Sequence, residues 1–303
     1  AKGEIIDPIN PETGKSWGWS DVADLNYDNQ GLRAAMTADM LHWIKNEKID
    51  GFRCDVAGNV PLDYWQQAIP QLRKEKNIFM LAEAWEPELL KEGLFDMAYG
   101  WEAHHTMNRI AQGKNTVKDW DKFMAENDIK YSSDDILMNF VDNHDENSWN
   151  GTIRGRLGKG EEAMTALSYV MPGMPLIYSG NEYGLNHSLK FFEKDSIPKT
   201  KGKDWELRAK LGKLKTENTA LNGGKNRAKY TRIKTDDDTN ILAFTREKEG
   251  KKVVYIANFS NNPIKTKVGI KVEYTNYMTG KKMSLNEKQI HSMEPWQYYI
   301  LTE

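Results

Sequence analysis

The stretch IDGFRCD at residues 49–55 is a short apolar run that ends in charged side chains. A run of this length is typical of a strand that is covered on both faces of a parallel sheet. A helix is predicted from about residue 61 to 74, with Pro61 in its first turn, and the next apolar run is IFMLAE at 78–83. Strand, helix and strand in this order predict a βαβ unit.

The same alternation extends in both directions along the chain. Upstream, a helix is predicted after the cap residues Asp28 and Asn29, from apolar side chains at helical spacing: Leu32, Met36, Met40, Trp43 and Ile44. Downstream there are three more short apolar runs, and helical stretches separate most of them. These runs lie at 94–99, 136–141 and 175–178, and the helices at about 102–112, 116–127, 160–171 and 205–217. The pattern predicts an α/β fold with a parallel sheet.

The two ends of the chain differ from this central part. Residues 1–28 are rich in Gly, Pro, Asn and Trp without periodicity, which predicts a long ordered loop. After about residue 222, apolar and polar residues alternate in short segments between turn signals. These segments lie at 229–233, 241–246, 253–259, 265–268, 272–274 and 297–301. Residues 223–303 are therefore predicted to form an antiparallel β domain.

Composition excludes several classes of protein. The 303 residues carry 42 basic and 44 acidic side chains, and a formal charge of −2 argues against nucleic acid as a partner. No apolar run approaches the roughly 18 residues of a membrane-spanning helix. The single cysteine excludes an internal disulfide and a cysteine-built metal site. Ten Trp and thirteen Tyr suit an enzyme that handles sugars, but composition alone favours a large core.

Polar groups at the end of the first strand are the first candidates for chemistry. Arg53 and Asp55 are two residues apart, so strand alternation places both side chains on the same side. Loops at the carboxyl ends of parallel strands are where α/β proteins build their sites. An aspartate beside a fixed cation suits a nucleophile, although an ion pair that only holds the strand end fits the same residues. Cys54 faces the other way and is interpreted as a small buried side chain.

Two further strand ends also carry acidic side chains. Glu83 follows the second strand among apolar neighbours, a setting that suits a general acid, with a helix cap or a surface acid as the alternative. Acids on two adjacent strands fit the carboxylate pair of a retaining glycosidase. The strand at 136–141 leads into His144 and Asp145. Three acids with Arg53 and His144 at one rim form a cluster that stability alone does not favour, because like charges repel.

These stretches resemble the signature regions of the α-amylase family, glycoside hydrolase family 13. GFRCDVA at 51–57, AEAW at 82–85 and FVDNHD at 140–145 resemble its second, third and fourth regions. GMPLIYSGNE at 173–182 resembles the family segment at the eighth strand, and DLN at 24–26 resembles the end of the inserted second domain. The resemblance covers about residues 17–220, and the first four of these motifs, which occur in the family's order, make it specific.

The resemblance implies an incomplete (β/α)8 TIM barrel, with about strands four to eight, followed by an antiparallel β-sandwich domain. Residues 1–28 would be the tail of the inserted, loop-rich domain B. Residues 29–222 would be the C-terminal part of the catalytic barrel, and residues 223–303 the all-β C-terminal domain.

The resemblance also implies a role for each matching residue. Asp55 would be the nucleophile, and Glu83 the acid that protonates the leaving oxygen and then the base that activates water. Asp145 would bind substrate hydroxyls and stabilise the transition state. Arg53 would hold Asp55 ionised and oriented, and His144 would hydrogen-bond the sugar at the −1 position. Two displacements at one carbon retain its configuration.

The implied substrates are starch-like α-1,4-glucans and maltooligosaccharides. Trp85, Trp149 and Trp17 are candidate stacking platforms for sugar rings, with packing as the alternative for each. A transglycosylase or maltooligosaccharide-processing relative, or a non-catalytic sugar-binding member, are the alternative functions. Non-catalytic members typically lose an acid, and all three acids are present here. No membrane span is expected, and a secreted or periplasmic location is expected over a cytoplasmic one.

Two departures from the family pattern bear on activity and metal binding. Five matched strands do not close an eight-stranded barrel, and the chain begins at Ala1, so we expect a fragment that is inactive without the N-terminal segment of its own protein. Gly58 and Asn59 stand where typical members have Lys-His. The chemistry is expected to need no cofactor. The family's structural calcium is put in question by this departure, and Asp24 is its one family-matched ligand candidate.

Overall fold

The computed structural model describes residues 6–10, 13–19 and 21–303, and the chain divides into two compact units, Ala1–Phe95 and Asp96–Glu303. Residues 1–5, 11–12 and 20, which belong to the predicted loop over 1–28, lie outside the described residues. In the described part of that loop, Ile9 and Ser16 form an isolated antiparallel bridge.

The first unit contains the predicted βαβ arrangement. Its elements are α1 (Gln30–Lys45), β1 (Gly51–Cys54), α2 (Leu62–Glu75) and β2 (Phe79–Ala82). Strands β1 and β2 pair in parallel, with Gly51 opposite Phe79 and Cys54 opposite Ala82. A Cβ at Gly51 would lie only 1.8 Å from the carbonyl oxygen of Phe79, so this pairing requires glycine at position 51.

Helix α1 contacts α2 partly through a charged side chain. Helix α1 begins where predicted, because Asn29 Oδ1 accepts a hydrogen bond of 2.8 Å from the Gly31 N–H. Its buried residues are Arg33, Thr37 and Ile44, whereas Trp43, expected on the apolar face, is exposed. Arg33 pairs with Asp63 of α2 at 2.7 Å, so a charged side chain takes part of the role that periodicity assigned to apolar ones.

The second unit begins with three short parallel strands, β3 (Met97–Tyr99), β4 (Leu137–Asn139) and β5 (Met174–Pro175). The helices between and after them are α3 (Trp101–Ala111), α4 (Val117–Lys130), α5 (His144–Trp149), α6 (Ile153–Leu157), α7 (Glu161–Val170) and α8 (Lys203–Glu217). Sequence periodicity predicts the four longer helices. Neither α5 nor α6 was expected, because neither is long enough to repeat an apolar spacing.

The unit ends in antiparallel strands. They are β6 (Lys229–Arg232), β7 (Ile241–Lys248), β8 (Lys251–Asn258), β9 (Ile264–Thr266), β10 (Val272–Asn276), β11 (Lys282–Leu285), β12 (His291–Met293) and β13 (Tyr298–Thr302). Six of them form a sheet in the order β11-β10-β13-β8-β7-β6, and β9 pairs with β12. The turn-bounded alternation predicts these strands except β11 and β12.

Strand alternation in β7 and β8 gives the large sheet two apolar faces. On one face, Phe244 and Tyr255 join a core with Trp120, Leu167 and Leu211 from helices α4, α7 and α8. On the other face, Ala243 and Ile256 lie in a second core that includes Met293 of β12. The large sheet is therefore the middle layer between the helices and the small sheet.

Buried polar groups tie the large sheet to the helical layer. The Tyr255 hydroxyl donates to the Ala163 carbonyl at 2.8 Å. The guanidinium of Arg246 donates to the carbonyl oxygens of Val170, Asn222 and Ala228. Burial lowers the pKa of Arg246 to about 10, with a further contribution from the positive charge of Arg227.

Among the described residues, no helix combines the length and apolarity needed to cross a membrane.

Candidate active site

Arg53 and Asp55 lie at the carboxyl end of β1, where the sequence placed them on the same side. The Arg53 guanidinium forms an ion pair with the Asp55 carboxylate. Asp55 is largely exposed, with 72% of its side chain accessible, whereas Arg53 is 29% accessible. The cation is thus the anchored member of the pair, and the carboxylate is open to a ligand.

Glu83 follows β2 directly and shares the same cation. Its Oε1 lies 2.9 Å from Arg53 Nη2, and its Oε2 accepts a hydrogen bond of 2.7 Å from the Val56 N–H. Only 14% of this side chain is accessible. The sequence predicted apolar neighbours for Glu83, and it did not indicate these two polar partners.

The backbone conformation after β1 directs the Val56 N–H towards Glu83. Val56 has φ 41° and ψ 43°, a left-handed conformation that is uncommon for a β-branched residue. The Glu83 N–H donates to the Cys54 carbonyl at 3.0 Å, and the Ala57 N–H donates to the Glu83 carbonyl at 3.1 Å. These bonds extend the pairing of the two strands and hold Asp55 and Glu83 in a fixed relation to Arg53.

Cys54 has the structural role expected from its position. The side chain is buried, and burial raises the pKa of its thiol to about 12. The thiolate, which is the nucleophilic form of cysteine, is therefore suppressed at neutral pH. Of the acidic and thiol groups at this strand end, Asp55 is the one that faces solvent.

His144 and Asp145 open helix α5 in the second unit. The helix is capped by Asn143, whose Oδ1 accepts a hydrogen bond of 2.7 Å from the Glu146 N–H. His144 Nε2 lies 3.4 Å from Asp145 Oδ2, and both side chains are partly accessible. The first unit thus contains Arg53, Asp55, Glu83 and Trp85, and the second unit contains His144 and Asp145.

A buried network of ion pairs and hydrogen bonds holds the residues that directly precede α5. Arg156 Nη2 lies 2.7 Å from Asp142 Oδ1, and the same nitrogen donates to the Val141 carbonyl. Asn181 donates to the other oxygen of Asp142 at 3.2 Å. Burial raises the pKa of Asp142, and the Arg156 charge and the Asn181 hydrogen bond oppose this rise without cancelling it. The residues on either side of His144 and Asp145 are therefore held by groups that the sequence did not single out.

His104 of α3 completes this network. Its Nε2 lies 3.0 Å from Glu146 Oε2, and its other ring nitrogen lies 3.1 Å from the Phe140 carbonyl. Burial tends to raise the pKa of Glu146, but the hydrogen bond from His104 and the charges of His104 and Arg156 outweigh it, so the net shift is downward. A histidine on a helix of mixed polar and apolar residues gives no sequence signal for such a contact.

The three tryptophans named as stacking platforms are all exposed, Trp85 and Trp149 more than Trp17. Trp17 stacks on Trp19 with ring centres 5.1 Å apart. Trp149 contacts two further exposed rings, those of Phe191 and Phe192. The adjacent phenylalanines stand in an otherwise polar stretch, and this is the signal that could have identified them.

Asp24 has no cluster of metal ligands around it in the part of the chain that the structure describes. Within these residues, no group of three or more His, Cys, Asp or Glu side chains is arranged to hold a metal ion. The Asp24 N–H donates to the Ile6 carbonyl at 2.9 Å. Calcium binding by Asp24 therefore stays a prediction, and no step of the chemistry is assigned to calcium.

Comparison with known proteins identifies the family to which this chain belongs. A family model described as the α-amylase catalytic domain matches residues 17–252. The chain is 23% identical over 263 residues to α-amylase MalA of Haloarcula japonica, covering 86% of this chain and 38% of the relative. It is 25% identical over 268 residues to an intracellular maltogenic amylase of Bacillus subtilis, covering 80% of this chain and 42% of the relative. The chain spans about two fifths of the length of these two relatives.

A solved structure shows the same fold. The maltogenic α-amylase AmyB of Thermotoga neapolitana superposes with a TM-score of 0.82 at 24% identity, over 97% of this chain and 71% of that one. This likeness confirms the predicted fold class, part of a (β/α)8 barrel followed by antiparallel β-sheets. Since the family model covers more than three quarters of the residues, the chain belongs to the α-amylase family of glycoside hydrolases, of which it carries catalytic-domain sequence.

Proposed function

We propose that this protein hydrolyses α-1,4-glucosidic bonds in starch-like glucans and maltooligosaccharides with retention of configuration. The observation that carries the proposal is the pair of carboxylates at the ends of β1 and β2. Arg53 contacts both of them, Asp55 faces solvent and Glu83 is mostly buried. Two carboxyl groups within reach of one guanidinium, in two different environments, suit the two roles of a retaining glycosidase.

In the first step, an Asp55 carboxylate oxygen attacks the anomeric carbon and forms a glycosyl ester. The bond from that carbon to the leaving oxygen breaks, and Glu83 in its acid form gives its proton to this oxygen. In the second step, Glu83 takes a proton from water, whose oxygen attacks the same carbon and releases Asp55. Each attack inverts the carbon, so the product keeps the original configuration.

The remaining residues act by binding and positioning. Arg53 orients Asp55 and Glu83 through its two contacts. We assign to Asp145 the binding of substrate hydroxyls and stabilisation of positive charge in the transition state, and to His144 a hydrogen bond to the sugar that reacts. Trp85, which is exposed and lies two residues after Glu83, offers a flat apolar surface to a neighbouring sugar ring.

We further propose that hydrolysis requires more barrel strands than the described residues contain. Those residues supply five parallel strands, two in the first unit and three in the second, whereas a closed barrel of this type has eight. The test compares residues 1–303 with the same residues supplied together with the remaining strands of a family barrel. Full hydrolysis by residues 1–303 without them would contradict this requirement.

The central experiment replaces Glu83 by Gln in residues 1–303 supplied together with the remaining strands of a family barrel, and it follows starch hydrolysis and product anomers by NMR. Glu83→Gln should lower kcat by about 10²–10⁴-fold, because the amide can neither give nor take the proton. Asp55→Asn should abolish the glycosyl ester, and Glu88→Gln, an exposed acid on the following turn, serves as the control. Unchanged hydrolysis in Glu83→Gln would overturn the assignment. Transfer products that dominate at low substrate would replace hydrolysis by transglycosylation.

A further inference from the structure

Five buried polar side chains form one connected network beside the start of helix α5. Arg156 Nη2 lies 2.7 Å from Asp142 Oδ1, and Arg156 Nη1 donates to Asn108 Oδ1 at 3.0 Å. The same Nη1 lies 3.8 Å from Glu146 Oε2, which in turn lies 3.0 Å from His104 Nε2. We call these five residues the α5 network. None of the five is more than 9% exposed, so their contacts are made largely out of water.

Two members of the α5 network stand on either side of the residues that the proposed function assigns to the substrate. The side chains of Asp142 and Glu146 are 1% and 10% accessible. Between them, His144 and Asp145 have 43% and 36% of their side chains accessible. This short segment is therefore anchored in the interior on both sides, while the two residues in its middle face outward.

Glu146 is the member that ties α5 to its surroundings. Its carboxylate contacts His104 of α3 and Arg156 of α6, and it accepts a hydrogen bond of 3.1 Å from Asn150 Nδ2, at the far end of α5. Its backbone N–H donates to the cap residue Asn143. A helix of six residues gains little stability from its own hydrogen bonds. The first turn of α5 therefore depends on the contacts of Glu146.

Stability alone does not account for a charged network at this place. Replacing a buried ion pair by apolar side chains of similar volume is often neutral or stabilising, because charged groups lose their hydration on burial. Hydrogen bonds and ion pairs are directional, so they define the orientation of a short segment more narrowly than apolar packing does. Orientation matters for a reacting site, where a displacement of about 1 Å can cost about 10²-fold in rate.

We propose that Glu146 is a positioning residue for the reaction. By holding the first turn of α5, it sets the direction in which Asp145 and His144 face the substrate. The inference rests on the proposed function, because that function assigns these two residues to the substrate. Glu146 is mostly buried, so it acts through its neighbours in the sequence rather than by touching the sugar.

The first test measures maltoheptaose hydrolysis by Glu146→Met, in residues 1–303 supplied with the remaining strands of a family barrel. Glu146→Met should lower kcat by about 10²-fold at a temperature where circular dichroism shows a folded protein, because Asp145 is present but displaced. Glu146→Gln keeps an oxygen that accepts from His104, so its kcat should stay within about five-fold of the wild type.

The matched control is Glu161→Met. Glu161 lies in the first turn of α7, its side chain is 21% accessible, and it pairs with Arg154 at 3.2 Å. Its loss should lower stability, but kcat should stay within about two-fold, because Glu161 lies outside the α5 network. The comparison separates positioning from a general loss of stability.

The second test does not depend on hydrolysis. Hydrogen–deuterium exchange of the backbone amides of α5 is measured by mass spectrometry in residues 1–303. Glu146→Met should speed this exchange by about ten-fold or more, because the first turn then opens more often. Glu146→Gln, Glu161→Met and Glu83→Gln should leave it unchanged.

Unchanged kcat in folded Glu146→Met, an equal loss of kcat in Glu161→Met, or unchanged exchange of the α5 amides would each overturn the positioning role. A rise in KM with kcat preserved would overturn it as well, since it would place Glu146 in contact with the substrate. Absence of hydrolysis by the wild type with a complete barrel would contradict the proposed function. The exchange measurement would then decide by itself whether Glu146 holds α5.

Discussion

Arg53 Nη2 lies 2.9 Å from Oε1 of Glu83, although Arg53 lies on β1 and Glu83 follows β2, 30 positions later in the sequence. The same guanidinium pairs with Asp55, which directly follows its own strand. One planar cation therefore fixes the orientation of both carboxylates that the proposed reaction uses. A lysine ammonium is a point charge without this forked geometry, so it cannot reproduce both contacts in the same arrangement.

Arg53→Lys should consequently lower kcat by about 10²-fold, because small displacements of reacting groups are costly. KM should stay within about two-fold, because Arg53 positions the carboxylates rather than the substrate. Steady-state kinetics on maltoheptaose, with the remaining strands of a family barrel supplied, measure both constants. Arg109→Lys, which changes an exposed pair with Glu102, is the matched control. A change in KM with kcat preserved would show that Arg53 binds substrate directly.

Arg156→Met should destabilise the protein by about 3–5 kcal/mol, because it leaves Asp142 buried without its cation. Urea unfolding followed by tryptophan fluorescence measures the loss. The exposed Arg109→Met should cost at most about 1 kcal/mol. Adding Asp142→Asn to Arg156→Met should restore part of the stability, and a loss below about 1 kcal/mol in the single variant would show that the pair is not isolated from water.

Lys215 should make stability depend on pH in the neutral to alkaline range. Its ammonium donates to the carbonyl oxygens of Gly173 and Leu221, while burial and then the charge of Arg246 lower its pKa from 10.5 to about 7. Between pH 7 and 10.5 the unfolded chain binds the proton more tightly than the folded protein does. The free energy of unfolding should therefore rise with pH in this window, by up to about 1.4 kcal/mol per unit.

The measurement for Lys215 is urea unfolding at several pH values from 7 to 10. Lys215→Met should remove most of this slope, and Lys213→Met, two residues away and exposed, should keep it. Equal slopes in the two variants would show that the ammonium of Lys215 stays charged in the folded protein.

Cys54 should be unreactive towards a disulfide reagent at pH 8 while the protein is folded. The shift of its thiol pKa from 9.0 to about 12 lowers the thiolate fraction by about 10³-fold, and burial limits access as well. Because the chain has one cysteine, colour release from Ellman's reagent reports this position alone. Labelling should become fast in urea, and fast labelling without urea would indicate that β1 opens in the native state.

The sequence predicts the strands and long helices because their signals are local. Short apolar runs such as 49–55 and 78–83 and the cap at Asn29 each correspond to an observed element. Alternation also places Arg53 beside Asp55 correctly. The site details depend on long-range contacts instead. Val56 has a left-handed backbone conformation, and its N–H donates a hydrogen bond to Glu83. This hydrogen bond has no sequence signature, because it forms only when β1 and β2 are paired.

Charged groups in the interior are the second class of features that local patterns miss. Long cations are mostly exposed, so the residue types of Arg156 and Lys215 give no reason to place them against interior carbonyl groups. Both instead lie against backbone carbonyls that other elements present. Likewise, the six-residue helix α5 is too short for a periodic signal, and its placement depends on Asn143, Glu146 and the partners that hold them.

The bond from Tyr255 to the Ala163 carbonyl, with the contacts of Arg246, affects how the protein tolerates truncation. The family match ends at residue 252, inside β8, and a cut there would divide the strand that carries Tyr255. A chain that ended at residue 222 would lack the apolar side chains of the strands that pack on α7. The carbonyl oxygens that accept hydrogen bonds from Arg246 would also lose this donor. Residues 96–303 should therefore unfold cooperatively, and the C-terminal strands are an integral part of the scaffold rather than a removable accessory module.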